Sequence, residues 1–243
     1  MGGYLTHLLE KSLKILTVTL FHILKRRLTS LKNTKMLDDS QVTLRDLKLM
    51  TLGDPRKEIS LGLIFNTSPV NYISLVNKAI DYVASEFSLT PKERKGRSED
   101  GLTIDAITIL KSLGFQASHD TTVGGHCDIV IQEKFDFLWL GEAKIHESYD
   151  WLLKGFNQLD TRYATATVNQ DHGGLIIYCY NKRVDQVMEK WISFLEKKRP
   201  DVTVVKDDHD KSIIYSRHVH QRTGREYTVR HKIISLYFDP KDS

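Results

Sequence analysis

The sequence predicts an α/β domain with a mixed central sheet flanked by helices, preceded by an α-helical N-terminal region. Three observations carry that expectation. From Ser98 onward the apolar pattern switches between helical and strand periods in the order α-β-β-β-α-β-α, as expected of an α/β sheet. Further on, two strand-like runs flank Thr223-Gly224, a hairpin signal. At the other end Leu5, Leu9, Leu13, Leu16, Leu20, Leu24 and Leu31 recur at spacings of three, four and seven, the stripe of one amphipathic helix or two. With 243 residues the chain can bury one large core, with or without a smaller appendage. The expected division is residues 1–95, a helical region for oligomerisation or partner docking, and residues 96–243, the α/β domain with a C-terminal β-hairpin.

Taken in order, residues 1–36 hold seven Lys/Arg and one acidic residue. The leucine-striped helix therefore has a basic face, with its stripe packed on the body, on a second copy or on a partner. A membrane-surface helix is the weaker alternative. Residues 32–67 give no clear pattern beyond a turn at Gly53-Asp54-Pro55. Ser68-Pro69 opens a helix, Ser as N-cap and Pro in the first turn, with the stripe Ile73, Val76, Ile80, Val83 and Phe87. Thr90-Pro91 reads as another helix start, leading into a basic, glycine-broken linker, KERKGR. The next helix carries Leu102, Ala106, Ile107, Leu110 and Leu113 and ends at Gly114. Strands are expected near 115–119, 127–132 and 137–145, a helix at about 148–166, and a strand from Leu175 to Tyr180. A helix over 183–198, stopped by Pro200, leads to the hairpin strands Ser212–His220 and Glu226–Phe238.

The composition, 40% apolar and 27% charged, is that of an ordinary soluble protein. A net charge of +4 permits an anionic partner without demanding one. Cys127 and Cys179 lie in or beside apolar strand-like runs, which suits free buried thiols in a reducing cytoplasm. No Cys/His pattern at zinc spacing is present. Lys11, Lys14 and Lys25 interrupt the apolar N-terminal segment, leaving clean stretches of about ten residues, too short to span a bilayer. Neither a signal peptide nor an integral membrane segment is expected. Met1-Gly2 followed by Thr6 matches the short myristoylation pattern.

The chemistry concentrates in residues 124–146, GGHCDIVIQEKFDFLWLGEAKIH. Asp128 opens one apolar run, and Glu142 and Lys144 close the next. Charges set against apolar strands are costly unless they meet each other, a metal or a substrate. Residues two apart share a strand face, so Glu142 and Lys144 project together while Ala143 and Ile145 face the other way. A hairpin turning near Phe135 would set Asp128 across from residue 141 or 142. Two carboxylates so close repel each other and take up protons unless a divalent cation sits between them. Their oxygens suit Mg²⁺, with Mn²⁺ a natural substitute. A lysine beside a metal-bound water can orient it, help deprotonate it, or stabilise charge developing on a phosphate.

Asp128 followed by Glu142-Ala143-Lys144, after a helix that carries an acid, resembles the PD-(D/E)XK nuclease superfamily. The resemblance covers roughly residues 97–198. It implies a restriction-endonuclease-like core of α-β-β-β-α-β order, with Asp128 and Glu142 as metal ligands and Lys144 as the catalytic lysine. Cys127 stands where the family name has proline, a departure the family tolerates. Many members add an acid on the first helix. Glu99 fits that role, helping to hold the metal, with Asp105 as rival; Ser98, Glu99 and Asp100 also read as an ordinary cap and helix start. Some branches place a Gln and a Tyr on the following helix, which Gln158 and Tyr163 resemble at a slightly different spacing. Lys154, Gln158 and Arg162 form a ridge at i, i+4 and i+8 that would suit a scissile phosphate or simply face solvent.

Ten histidines need separate treatment. His119, His126 and His146 bracket the proposed site; His218, His220 and His231 lie in the terminal hairpin, where substrate contacts or plain strand positions are expected rather than zinc. Trp139 and Trp151 read as core. The leading expectation is an Mg²⁺-dependent DNA endonuclease, plausibly an effector of prokaryotic anti-phage defence or restriction, working as a homodimer or with a regulatory partner. The alternatives are an RNA nuclease on the same site, or a degenerate module that recruits a partner through its N-terminal helices.

Overall fold

The computed structural model describes residues 42–242, so the leucine-striped segment and the Met1-Gly2 pattern lie outside the described residues. The chain divides into two compact units after Met50. Most of helix α1, Leu44–Thr51, belongs to the first. Its start is a reciprocal cap: Asp46 Oδ2 accepts from Thr43 N at 3.0 Å, and Thr43 Oγ1 accepts from Asp46 N at 3.2 Å.

The second unit begins with α2, Pro55–Ile64, whose N-cap Asp54 accepts from Arg56 N and Lys57 N. The turn expected at Gly53-Asp54-Pro55 is present, closed by Asp54 N on Thr51 O at 3.0 Å, and it leads directly into this helix. There follow α3 (Pro69–Leu89), α4 (Glu99–Ser112), and the short strands β1 (Ala117–Ser118), β2 (Thr121–Thr122) and β3 (His126–Cys127). Next come β4 (Ile129–Glu133), β5 (Phe137–Ile145) and α5 (Tyr149–Gln158), the last extended by a π-helical turn, Leu159–Tyr163. The chain continues through β6 (His172–Cys179), α6 (Val184–Lys198), β7 (Thr203–Lys206), β8 (Ile213–Val219) and β9 (Glu226–Ser235).

Seven strands form one mixed sheet in the order β1-β4-β5-β6-β9-β8-β7, and β2 and β3 pair as a separate ribbon. The central β5, β6 and β9 are parallel and the flanking pairs antiparallel. A parallel centre needs cover on both faces. Ile129, Ile131, Trp139, Ala143, Ile176 and Tyr178 point into one core with α2, α3 and α4. Val130, Leu138, Leu140, Leu175, Ile177 and Val229 point into the other with α5 and α6. The alternation along each strand decides which core a side chain joins.

The expected boundary at 95/96 does not divide the structure. Val76, Ile80, Val83 and Phe87 of α3 bury in the same core as Leu102, Ile129 and Trp139, because one sheet face would otherwise lie bare. The helix expected after Thr90-Pro91 is a single 3₁₀ turn, Lys92–Arg94; its charged sequence supplies no apolar stripe to hold a longer one. Cys127 and Cys179 are free and buried. No helix among the described residues is long and apolar enough to cross a membrane.

Candidate active site

Strand β5 outlasts its neighbour. Pairing with β4 ends at Ile129↔Gly141, while β5 continues to Ile145. The N–H groups of Ala143 and Ile145 must find other acceptors. Asp128, opposite Glu142 if the register is continued, accepts from Ala143 N through Oδ2 at 2.8 Å. Glu99 accepts from Ile145 N through Oε2 at 2.7 Å. The hairpin turns at Phe135 and Asp136, both at positive φ (64° and 55°). Glu99 is delivered by the start of α4, where Ser98 Oγ accepts from Gly101 N at 3.1 Å. Ser98 thus caps this helix start while Glu99 reaches Ile145 N and Lys144.

Glu142 and Lys144 project together toward α5. The Lys144 ammonium lies 2.6 Å from Glu142 Oε1, 3.2 Å from Glu99 Oε1 and 3.7 Å from Asp128 Oδ2, and it donates to Ala143 O at 3.0 Å. Only 6% of the lysine side chain is exposed. Gly155 of α5 makes room for it, since a Cβ there would come within 2.8 Å of Lys144 Cγ. The Trp151 ring lies 5.4 Å from Lys144 Nζ and 4.7 Å from Lys154 Nζ.

Burial, chiefly, raises the Asp128 carboxyl above its ordinary value, against the lowering pull of the Ala143 amide and Lys144. Burial and then the Asp128 charge push Glu142 up to about 7. Burial alone would lower Lys144, but the Glu142 charge and hydrogen bond outweigh it and hold the ammonium at about 12. Lys144 is thus protonated at neutral pH. Three carboxylates surround this one cation, and Glu142 Oε2 is buried with no hydrogen-bond partner. Hard oxygen donors with an excess of negative charge fit a divalent cation. As they stand they close on Lys144: among the described residues no group of three His, Cys, Asp or Glu side chains is arranged to hold a metal.

Asp105 is not in this cluster; it pairs with Arg97 at 3.2 Å. Tyr163 is buried beside it, its hydroxyl pKa raised by burial first and then by Glu142, Cys127 and Asp128. Gln158 is half-buried, and Lys154 and Arg162 are exposed. Lys154 and Gln158 lie on α5, and Arg162 on the π-helical turn Leu159–Tyr163 that extends it. His119 Nδ1 lies 2.9 Å from Asp128 O, His126 pairs with Asp120 at 2.8 Å, and His146 with Asn181 at 3.0 Å. Trp139 is core as expected, whereas Trp151 borders the site.

A buried polar layer beneath α5 and α6 joins the hairpin histidines to Asp160, which no sequence pattern singles out. Asp160 Oδ1 lies 2.7 Å from His218 Nε2, Asp160 Oδ2 3.0 Å from Arg199 Nη2, and Asp160 O 3.2 Å from His220 Nε2. His231, fully buried, accepts from Trp191 Nε1 at 3.1 Å and lies 2.8 Å from Ser216 Oγ. Burial, then the nearby His218, lowers His231 to about 3. Between that value and the ordinary histidine range the unfolded chain binds a proton that the native chain refuses, so stability falls as pH falls. Glu142, raised to about 7, has the opposite slope: its contribution declines as pH rises from the ordinary glutamate value. In a Glu142→Gln background, stability by urea titration should therefore drop about 2 kcal/mol from roughly pH 6.5 to roughly pH 5. Adding His231→Gln should flatten that drop; an unchanged profile would show that His231 does not cause it.

No protein-family model, curated protein or solved structure matches the chain.

Proposed function

We propose that the chain is a metal-dependent nuclease of the PD-(D/E)XK type that hydrolyses phosphodiester bonds of DNA. One observation carries the reading: a buried lysine ammonium 2.6–3.7 Å from three carboxylates, at the end of a hairpin strand and 5.4 Å from the Trp151 ring. Asp128 and Glu142, helped by Glu99, would hold the cation. Bound Mg²⁺ would supply Lewis acidity toward the phosphate and lower the pKa of a bound water. Lys144, protonated at neutral pH, donates to the phosphate oxygen on which charge builds as water attacks. The water oxygen forms a new bond to phosphorus, the bond to one sugar oxygen breaks, and one proton of the water passes to that leaving oxygen. Tyr163 packs beside the carboxylates, and Gln158, Lys154 and Arg162 are candidate backbone contacts on the same helical segment. An effector role in anti-phage defence or restriction, with a second copy or a regulator, is the broader setting we propose.

One observation favours a non-catalytic module instead: Asp128 and Glu99 already satisfy strand amides, a structural task that needs no metal. Cleavage of plasmid, linear duplex, single-stranded DNA and RNA, with Mg²⁺ and with EDTA, decides between them. Lys144→Ala and Glu142→Ala should each slow metal-dependent cutting by about 10²–10⁴-fold. Cutting that survives both substitutions would remove the site assignment, and preferential RNA cleavage would move the substrate to RNA.

A further inference from the structure

On the face of the sheet away from Lys144, Arg230 of β9 lines a cavity of about 530 Å³. Its side chain is 6% exposed, and Nη2 meets Asp81 Oδ1 at 2.6 Å. Its Nε and Nη1 are buried with no hydrogen-bond partner. An unsatisfied buried N–H is costly, and a small turn of this guanidinium toward the cavity would give both groups an acceptor there. Arg217 and Arg225, both exposed, line the same cavity. Three carboxylates stand against these three guanidiniums: Asp81 on Arg230, and Asp171 and Glu226 in the lining, with the Arg225–Asp171 pair loose at 3.7 Å. Ile73, Trp139 and Tyr215 supply an apolar wall. The volume falls within the range of small-molecule sites, and paired guanidinium forks suit phosphate oxygens.

We propose that this cavity is a second ligand site, for a nucleotide whose phosphate lies on Arg230, Arg225 and Arg217 and whose base lies against Ile73 and Tyr215. A free mononucleotide and the 5′-phosphorylated end of a strand share this chemistry. The site is separate from the carboxylate–lysine cluster, and its assignment does not depend on nuclease activity.

Calorimetric titration of the full chain in EDTA tests it, using AMP, inorganic phosphate, and one oligonucleotide with either a 5′-phosphate or a 5′-hydroxyl. The proteins are wild type, Lys144→Ala, Arg217→Glu and Arg225→Glu; circular dichroism in the same EDTA buffer checks that all three variants remain folded, and Lys144→Ala is compared only below its unfolding transition. AMP or the phosphorylated oligonucleotide should bind wild type and Lys144→Ala alike, and bind both arginine variants at least about tenfold more weakly. Binding of AMP assigns the free nucleotide; preference for the phosphorylated oligonucleotide over its hydroxyl form, without AMP binding, assigns the strand end. Binding undiminished in both arginine variants, binding of inorganic phosphate with no gain from AMP or the oligonucleotide, or binding of no probe would overturn the proposal.

Discussion

Lys144→Met should lower the stability of the metal-free chain by about 3–5 kcal/mol near neutral pH. Methionine keeps an unbranched stem to pack over Gly155, so the loss is mainly one of charge. The ammonium is the one cation within 4 Å of Glu142 among the described residues, and it also meets Glu99 and Asp128. Without it, Glu142 and Asp128 face each other in a buried place where burial already raises both pKa values. Glu142→Gln removes part of that repulsion in advance. The double variant should therefore lose less than the two single losses added together, with a coupling of about 0.5–3 kcal/mol. Urea denaturation of the four proteins in EDTA measures the cycle. Additive losses, or a Lys144→Met cost under about 1 kcal/mol, would mean that the carboxylates do not lean on this lysine.

Asp160→Ala should cost a similar amount, about 3–5 kcal/mol, although it lies outside the carboxylate–lysine cluster. Its carboxylate joins the π-helical turn to His218 of β8 and to Arg199 beyond α6. Burial works to raise its pKa, but the His218 and Arg199 interactions together outweigh it and leave it below the ordinary aspartate value. A depressed carboxyl contributes stability above the unfolded value, and that contribution is lost as pH falls through the native one. The variant should therefore match wild type most closely in strong acid. Arg199 retains Asp201 at 2.7 Å, so the damage centres on His218, whose Nδ1 is also unpartnered. Asp160→Asn keeps an acceptor and should cost less than Asp160→Ala. Equal costs would point to packing rather than the hydrogen bonds.

The hairpin and its charges were legible because strand parity is local. Glu142 and Lys144 share a face by alternation, and Asp128 faces Glu142 once the turn falls at Phe135. Glu99 could be set above Asp105 only by resemblance; the contact with Lys144 spans 45 positions, and the Asp105–Arg97 pair that removes the rival carries no sequence pattern. Asp160 and His218 lie 58 positions apart, so neither announced the other. Strand β7, Thr203–Lys206, has no buried residue and pairs at the sheet edge, which leaves no apolar alternation to read. Strands β2 and β3 are two residues each, shorter than any periodicity. Helix α2 buries only Ile59 and is set by its Asp54 cap and Pro55 rather than by a stripe.

The strand order carries a consequence for biosynthesis. β9, last of the seven along the chain, lies between β6 and β8 rather than at an edge. While a ribosome is still translating the stretch before Glu226, Glu99, Asp128, Glu142 and Lys144 have all been made, yet the sheet that supports them is open through its middle. Vectorial synthesis therefore cannot finish this fold piece by piece from the N-terminal side. Nascent chains arrested before Glu226 should be digested readily by added protease, and chains arrested once Ser235 has cleared the exit tunnel should resist; equal resistance at both points would show that β9 completes nothing.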